Sequence, residues 1–198
     1  MLDTYGRKYV HSQIEWIAKK LVQLNITPNQ VTFAALITGC LTFVLIYWNM
    51  PILACGLLWI SGLLDAVDGA MARQIKKPTP WGTVMDITFD RIVEMSVMIS
   101  LAIKFPYGRL SILFLLCSIL LSMTVFLTVG ALSNQRGLKS FYYQAGIAER
   151  TEGFIFLSLM ILFSNQLVMI SGLFALLVFI TAMQRLVEAY RLLNKTNT

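Results

Sequence analysis

Charge is scarce in this chain. Only 13% of its 198 residues are Asp, Glu, Lys or Arg, against 57% hydrophobic, with a mean hydropathy of +0.71. That balance excludes a soluble globular domain and points to a membrane protein with several spans. Cysteine is almost as sparse: Cys40, Cys55 and Cys117 all lie in apolar runs, an odd number without paired spacing. A disulfide framework and a thiolate metal site are therefore excluded, and the three read as small buried apolar residues. The single histidine, His11, reads as a surface residue and not a ligand. No linker, internal repeat or low-complexity tract divides the chain, so residues 1–198 are expected to form one domain. The start, MLDTYGRKYVHSQIEWIAKK, is too polar for the apolar core of a cleavable signal peptide, and the N-terminus is expected to be retained.

What is abundant is apolar sequence in long runs. Six segments, near 31–48, 52–73, 82–104, 109–132, 147–164 and 167–190, suit the roughly 20 residues a helix needs to cross hydrocarbon. Turn chemistry separates them at Asn49-Met50-Pro51, Lys76 to Pro80, Phe105 to Gly108, Ser133 to Gly146 and Ser164 to Gln166. The expected fold is an all-α membrane protein of six transmembrane helices over residues 28–198, preceded by an N-terminal amphipathic interfacial helix within 1–27. With the N-terminus inside, every Lys and Arg except Lys104 and Arg109 falls on the inner side. Both termini and the Lys76-Lys77 loop are thus expected in the cytoplasm, in a multi-pass protein of the cell membrane. The net charge of +6 is then the ordinary positive-inside signal and not a nucleic-acid surface.

Ahead of the first span, Val10, Ile14, Ile17, Leu21 and Leu24 recur at helical spacing, with Gln13, Glu15, Lys19 and Lys20 on the remaining surface. Such a helix can lie on the inner leaflet among membrane lipids, or cap its own bundle, and the two are compatible.

Against this apolar background stand four aspartates, Asp65, Asp68, Asp86 and Asp90. Ionised carboxylates persist in hydrocarbon only when paired, metal-bound or facing a wet cavity, which makes the cluster the working site by default. Asp65, Asp68, Gly69 and Ala72 fall on one face of the second span, and Gly82, Asp86 and Asp90 on one face of the third. The two faces can meet at matched depth. Four carboxylates so placed repel unless neutralised, and hard divalent cations with oxygen ligands, one or two Mg²⁺ or Mn²⁺, are the natural solution. Gly69, Ala72 and Gly82 remove side-chain bulk on the same faces, which admits a nucleotide or diphosphate; close helix packing is the alternative use of such residues.

The arrangement D-x2-D-G-x2-A-R-x8-G-x3-D-x3-D, carried by Asp65, Asp68, Gly69, Ala72, Arg73, Gly82, Asp86 and Asp90, resembles the CDP-alcohol phosphotransferase signature at all its fixed positions. Pro28-Asn29-Gln30-Val31-Thr32 is similar to the start of that family's first span, and the likeness weakens beyond residue 132. The resemblance implies transfer of a substituted phosphate from a CDP-alcohol, usually CDP-diacylglycerol, to an alcohol, with CMP leaving. By the same resemblance Asp65, Asp68 and Asp86 are metal ligands. Asp90 is the general base and can also touch a second ion. Asp68, Gly69, Ala72, Arg73 and Gly82 line the CMP pocket, with Asn29 and Thr32 over the cytidine or its phosphate; a plain helix N-terminal turn is the other reading of Asn29 and Thr32.

The resemblance implies as acceptor a small polar alcohol such as inositol phosphate or glycerol 3-phosphate. Arg91, Arg136, Lys139, Arg150, Arg185 and Arg191 are the inner-side cations outside the signature; Arg150, then Arg185, and Lys139 are the candidates for holding an acceptor's phosphate. Ion pairing of Arg150 with Glu149 or Glu152 is the structural alternative. The stretch 137–153 lacks a lysine-rich G-K-x-K-T run, which argues against glycerol 3-phosphate, while its E-R-T-E is loosely like members using inositol phosphate. Glu94 pairs either with Arg91 or with a neighbouring span. The resemblance also implies a homodimer, and small or polar residues at Ser118, Ser122, Thr124 and Gly130 fit either its contact or packing within the chain. Two other classes compete: a cation-binding transporter, which lacks any ionisable path through the outer half, and an inactive scaffold.

Overall fold

The computed structural model describes residues 2–75, 79–135 and 150–194, with side chains over 11–75, 79–132 and 151–191. Among these residues there are seven α-helices and no strand: α1 (Leu2–Gln23), α2 (Pro28–Tyr47), α3 (Pro51–Gln74), α4 (Pro80–Lys104), α5 (Arg109–Gln135), α6 (Arg150–Leu162) and α7 (Leu167–Asn194). Short 3₁₀ turns, Pro106–Gly108 and Ser164–Gln166, join α4 to α5 and α6 to α7.

Local chemistry sets the helix ends. Asn25 and Asn49 adopt φ of 59° and 60°. Beside them, Ile26 N–H donates to Leu21 C=O at 3.1 Å and Met50 N–H to Leu45 C=O at 3.0 Å, closing α1 and α2 in the left-handed manner that Asn tolerates. The next helices open on proline. Thr27 caps α2 in a capping box, with Thr27 N–H donating to Gln30 Oε1 at 2.9 Å, and Thr79 accepts from Gly82 N–H at 3.0 Å to cap α4.

Helices α2 to α7 coincide with the six expected segments, but length and apolar content suffice for a membrane crossing in four stretches: Pro28–Tyr47, Pro51–Gln74, Pro106–Leu132 and Ser164–Arg191. The other two depart for different reasons. Helix α4 carries Asp86, Asp90, Arg91 and Glu94 within three turns, and α6 is described over only 13 residues, about 20 Å of helix.

Packing places α2 against α3 and α4, and α1 along α3. Helix α6 bridges α3 to α7, which lies chiefly on α5. The main core gathers Leu58, Val97, Met98, Leu101, Leu115, Leu157 and Met160 from α3, α4, α5 and α6. A second cluster joins Ala18, Val31, Val67, Ala70 and Met71, and Ile14, Ile17 and Leu21 of α1 pack onto it. The apolar face of α1 is thus laid on its own bundle. Leu24, just beyond that helix, is exposed, and the side chain of Val10 lies outside the described residues.

Hydroxyls fasten the interior helices to one another: Ser61 Oγ donates to Ala35 C=O at 2.7 Å and Ser100 Oγ to Phe43 C=O at 2.9 Å. Ser118, Ser122 and Gly130 are buried within the chain, leaving only Thr124 of that set exposed. They serve packing of α5 and do not mark an outer contact face. The cysteines are free, but Cys40 and Cys55 are only half-buried and Cys117 is exposed. That corrects the expectation of burial; on a helix with a lipid-facing side, an apolar residue can point outward. His11 is exposed and sits 3.6 Å from Glu15.

Candidate active site

Helical spacing alone puts Asp65 and Asp68 on one face of α3 and Asp86 and Asp90 on one face of α4. The fold turns those faces together. Each of Asp65, Asp68 and Asp86 offers a carboxylate oxygen within 4.8 Å of the other two. Asp65 is 7% and Asp68 4% exposed, with Asp86 half-buried. Asp90, also half-buried, follows one turn further along α4 and is not in that trio. Carboxylates at this separation repel one another unless they are protonated or positive charge is brought between them. An all-oxygen donor set of three carboxylates fits a hard divalent cation of the Mg²⁺ or Mn²⁺ kind and does not suit a soft metal.

Around the trio the sequence-derived positions divide by element. Gly82, in the first turn of α4, lies beside the start of α2: a Cβ there would stand 3.0 Å from Thr79 Oγ1 and 3.8 Å from Asn29 Oδ1. Asn29 is exposed at that junction. Thr32 is buried, and its hydroxyl donates to Pro28 C=O at 3.0 Å. Within 4 Å of a Cβ at Gly69 the described residues place only Arg73 Nη1, at 3.5 Å. Among the described residues, no neighbouring helix packs closely on Gly69. The Arg73 side chain is exposed, Ala72 is half-buried, and neighbouring Gln74 donates to Glu15 C=O at 3.0 Å, tying α3 to α1 at this end. Thr27 and Thr79, which cap the two helices meeting here, escaped the sequence reading, although each stands as a Thr-Pro pair at a helix start.

Arg91 Nη1 pairs with Glu94 at 2.6 Å, which gives Glu94 its partner on the same helix. Arg185 Nη1 donates to Ser122 Oγ at 3.1 Å, and its guanidinium lies 5.2 Å from the Phe126 ring centre, two contacts that tie α7 to α5. Arg191 is exposed near the end of α7. Arg150 opens α6, but its side chain lies outside the described residues, as do Arg136, Lys139 and Glu149. Arg185→Gln is expected to lower the melting temperature in detergent by several degrees, since it removes a charged hydrogen bond and a cation–π contact between helices. An unchanged melting temperature with a raised KM for the acceptor would place Arg185 at the acceptor instead.

The family model described as CDP-alcohol phosphatidyltransferase matches residues 25–185. Archaetidylinositol phosphate synthase of Pyrococcus horikoshii is 33% identical over 184 residues, 92% of this chain and 94% of that one. Among solved structures, Mycobacterium tuberculosis phosphatidylinositol phosphate synthase with CDP-DAG bound superposes with a TM-score of 0.72 at 24% identity, covering 89% of this chain and 93% of that one. The same enzyme in complex with manganese and citrate gives 0.71 at 25% identity, over 89% and 88% of the two chains.

Proposed function

Because the chain belongs to the CDP-alcohol phosphatidyltransferase family, we propose that it transfers the lipid-bearing phosphate of a CDP-activated lipid to a phosphorylated polyol of the inositol phosphate class, releasing CMP. The observation that carries the chemistry is the convergence of Asp65, Asp68 and Asp86 within 4.8 Å, with Asp90 one turn along the same face of α4. The relative from Pyrococcus horikoshii supports the acceptor, since the likeness spans nearly all of both chains and its name carries inositol phosphate.

Asp65, Asp68 and Asp86 would hold one or two Mg²⁺ or Mn²⁺ ions, with Asp90 in reach of a second; when bound, such ions neutralise charge on a diphosphate and on the departing CMP oxygen. The protein's own groups do the rest. Asp90 accepts the proton of the acceptor hydroxyl as that oxygen bonds to the lipid-bearing phosphorus and the bond to CMP breaks. Gly69, Ala72 and Gly82 leave room for the nucleotide to lie against the backbone, with Arg73 over Gly69 to meet its phosphate. Asn29, at the junction of α2 and α4, is placed to meet the cytidine side, and Thr32 retains an acceptor lone pair beside its bond to Pro28. Arg150, with Lys139, is assigned the acceptor's phosphate.

In this reading α2 to α7 all cross the membrane, α4 and α6 being protected by the rest of the bundle. The Lys and Arg asymmetry puts both termini and the aspartates on the cytoplasmic side. Helix α1 rests at the inner interface, where exposed Trp16, with Lys20 Nζ 3.9 Å above its ring, offers an amphipathic pair to lipid headgroups.

The test supplies purified protein with CDP-diacylglycerol or its ether-lipid counterpart, with Mn²⁺ or Mg²⁺. Inositol phosphate, glycerol 3-phosphate, inositol, serine and glycerol are then offered in turn. CMP release and lipid product are expected with inositol phosphate and at least tenfold less with the others. Release with glycerol 3-phosphate alone would overturn the acceptor and keep the reaction; cation flux in vesicles without CMP release would overturn the reaction itself.

A further inference from the structure

Helix α2 supplies no carboxylate to the trio, yet one of its residues touches both helices that do. Gly39 faces α3 and α4 together: an added Cβ would stand 2.4 and 2.6 Å from the two methyls of Val93 and 2.8 Å from Ser61 Oγ. Ser61 precedes Asp65 by one turn and Asp68 by two, on the same face of α3. Val93 follows Asp90 by one turn and Asp86 by two, on the same face of α4. Gly39 thus sits in the seam between the metal-facing faces of α3 and α4, just beyond the carboxylates. We infer that Gly39 is a positioning residue for the cation site, its missing side chain setting the α3–α4 spacing that brings Asp86 to Asp65 and Asp68. This rests on the reading of those three as cation ligands.

The neighbours cannot yield by simple rotation. Val93 is 5% exposed and Ser61 4%. Both Val93 methyls face Gly39, so any staggered turn about χ1 removes one and leaves the other, and a helical valine is held strongly to one rotamer. Ser61 Oγ is held by its 2.7 Å bond to Ala35 C=O, one turn before Gly39 on α2. Bringing the closest contact from 2.4 Å to the 3.4 Å of ordinary contact needs about 1 Å of movement, and in a close-packed seam that movement falls on the helices. Two of the three carboxylates ride on α3 and the third on α4, so separation of those helices is felt directly between ligands. Divalent-cation sites are built to tolerances of a few tenths of an ångström.

Mn²⁺ affinity, read by electron paramagnetic resonance on folded protein in detergent without substrate, separates positioning from plain stability. Gly39→Ala is expected to weaken Mn²⁺ binding at least tenfold. The half-saturating Mn²⁺ concentration for transfer should rise equally, with kcat at saturating Mn²⁺ recovering to within about threefold. Gly39→Ala/Val93→Ala, which removes the two methyls and leaves the Ser61 contact, should regain part of the affinity and stay about threefold weaker than Val93→Ala. A lower melting temperature with unchanged Mn²⁺ affinity would overturn the inference while leaving the cation site intact. Absence of Mn²⁺ binding in the unsubstituted protein would overturn the inference and the site together. Should Gly39→Ala alone not fold, Gly39→Ala/Val93→Ala is compared with Val93→Ala, where only the Ser61 contact remains: at least threefold weaker binding supports the inference, and equal binding overturns it.

Discussion

Asp90→Asn will bind Mn²⁺ and the CDP-lipid within about threefold of the unsubstituted protein and lose transfer by about a thousandfold or more. The expectation follows from position. The trio within 4.8 Å is Asp65, Asp68 and Asp86, whereas Asp90 stands one turn further along α4. Asparagine keeps the shape and a carbonyl oxygen at that point but cannot take a proton from an alcohol, and general-base removal costs about 10² to 10⁴ in rate. Ligand binding should survive because none of the three clustered carboxylates changes. The measurement is paired: Mn²⁺ and CDP-lipid affinity, then CMP release with inositol phosphate. Retained turnover would sink the base assignment, while loss of Mn²⁺ binding along with turnover would move Asp90 among the cation ligands. An inactive scaffold or a transporter gives neither pattern, since neither releases CMP in the first place.

Much of this site was legible because helical phase survives into three dimensions. Asp65 and Asp68, and Gly82, Asp86 and Asp90, needed only their spacing to be placed on two faces, and short connections with proline and asparagine left few ways to arrange those faces. The boundaries of α2 and α3 were equally readable, since Asn49-Met50-Pro51 spells a left-handed cap followed by a helix start. Phase does not say how near two faces come. That three of the aspartates cluster depends on how closely α3 and α4 approach, and the residues that meet beside α2 there, Gly39, Ser61 and Val93, look like ordinary interior residues in sequence. Arg185 shows a related limit: a lone arginine in an apolar run reads as a ligand for an anion, and its phase could not announce that Ser122 and Phe126 of α5 meet it from over fifty residues away in the chain. Charge density also keeps α4 from meeting a test of apolarity, because Asp86, Asp90, Arg91 and Glu94 interrupt the run.

Asp68→Asn should raise the melting temperature of metal-free protein and abolish the rise that Mn²⁺ gives the unsubstituted protein. Both signs come from the same electrostatics. Two unit charges no more than about 5 Å apart repel by on the order of 3 kcal/mol or more at the effective dielectric suited to protein sites, and Asp68, 4% exposed, belongs to two pairs within 4.8 Å. Without a cation the folded state carries that repulsion, and a neutral amide of equal size relieves it. With a cation the balance inverts. Ligand binding to the native state adds about 2.7 kcal/mol at a hundredfold excess over the dissociation constant, and loss of one of three anionic ligands weakens binding enough to forfeit most of that gain. The crossing of the two melting curves, variant above without Mn²⁺ and below with it, is the signature of a residue kept for its ligand and not for the fold. Scans in chelator and in excess Mn²⁺ suffice to see it. A variant less stable in both conditions would show that Asp68 is held in the bundle by protein partners, and that the folded state meets the charge without a metal ion.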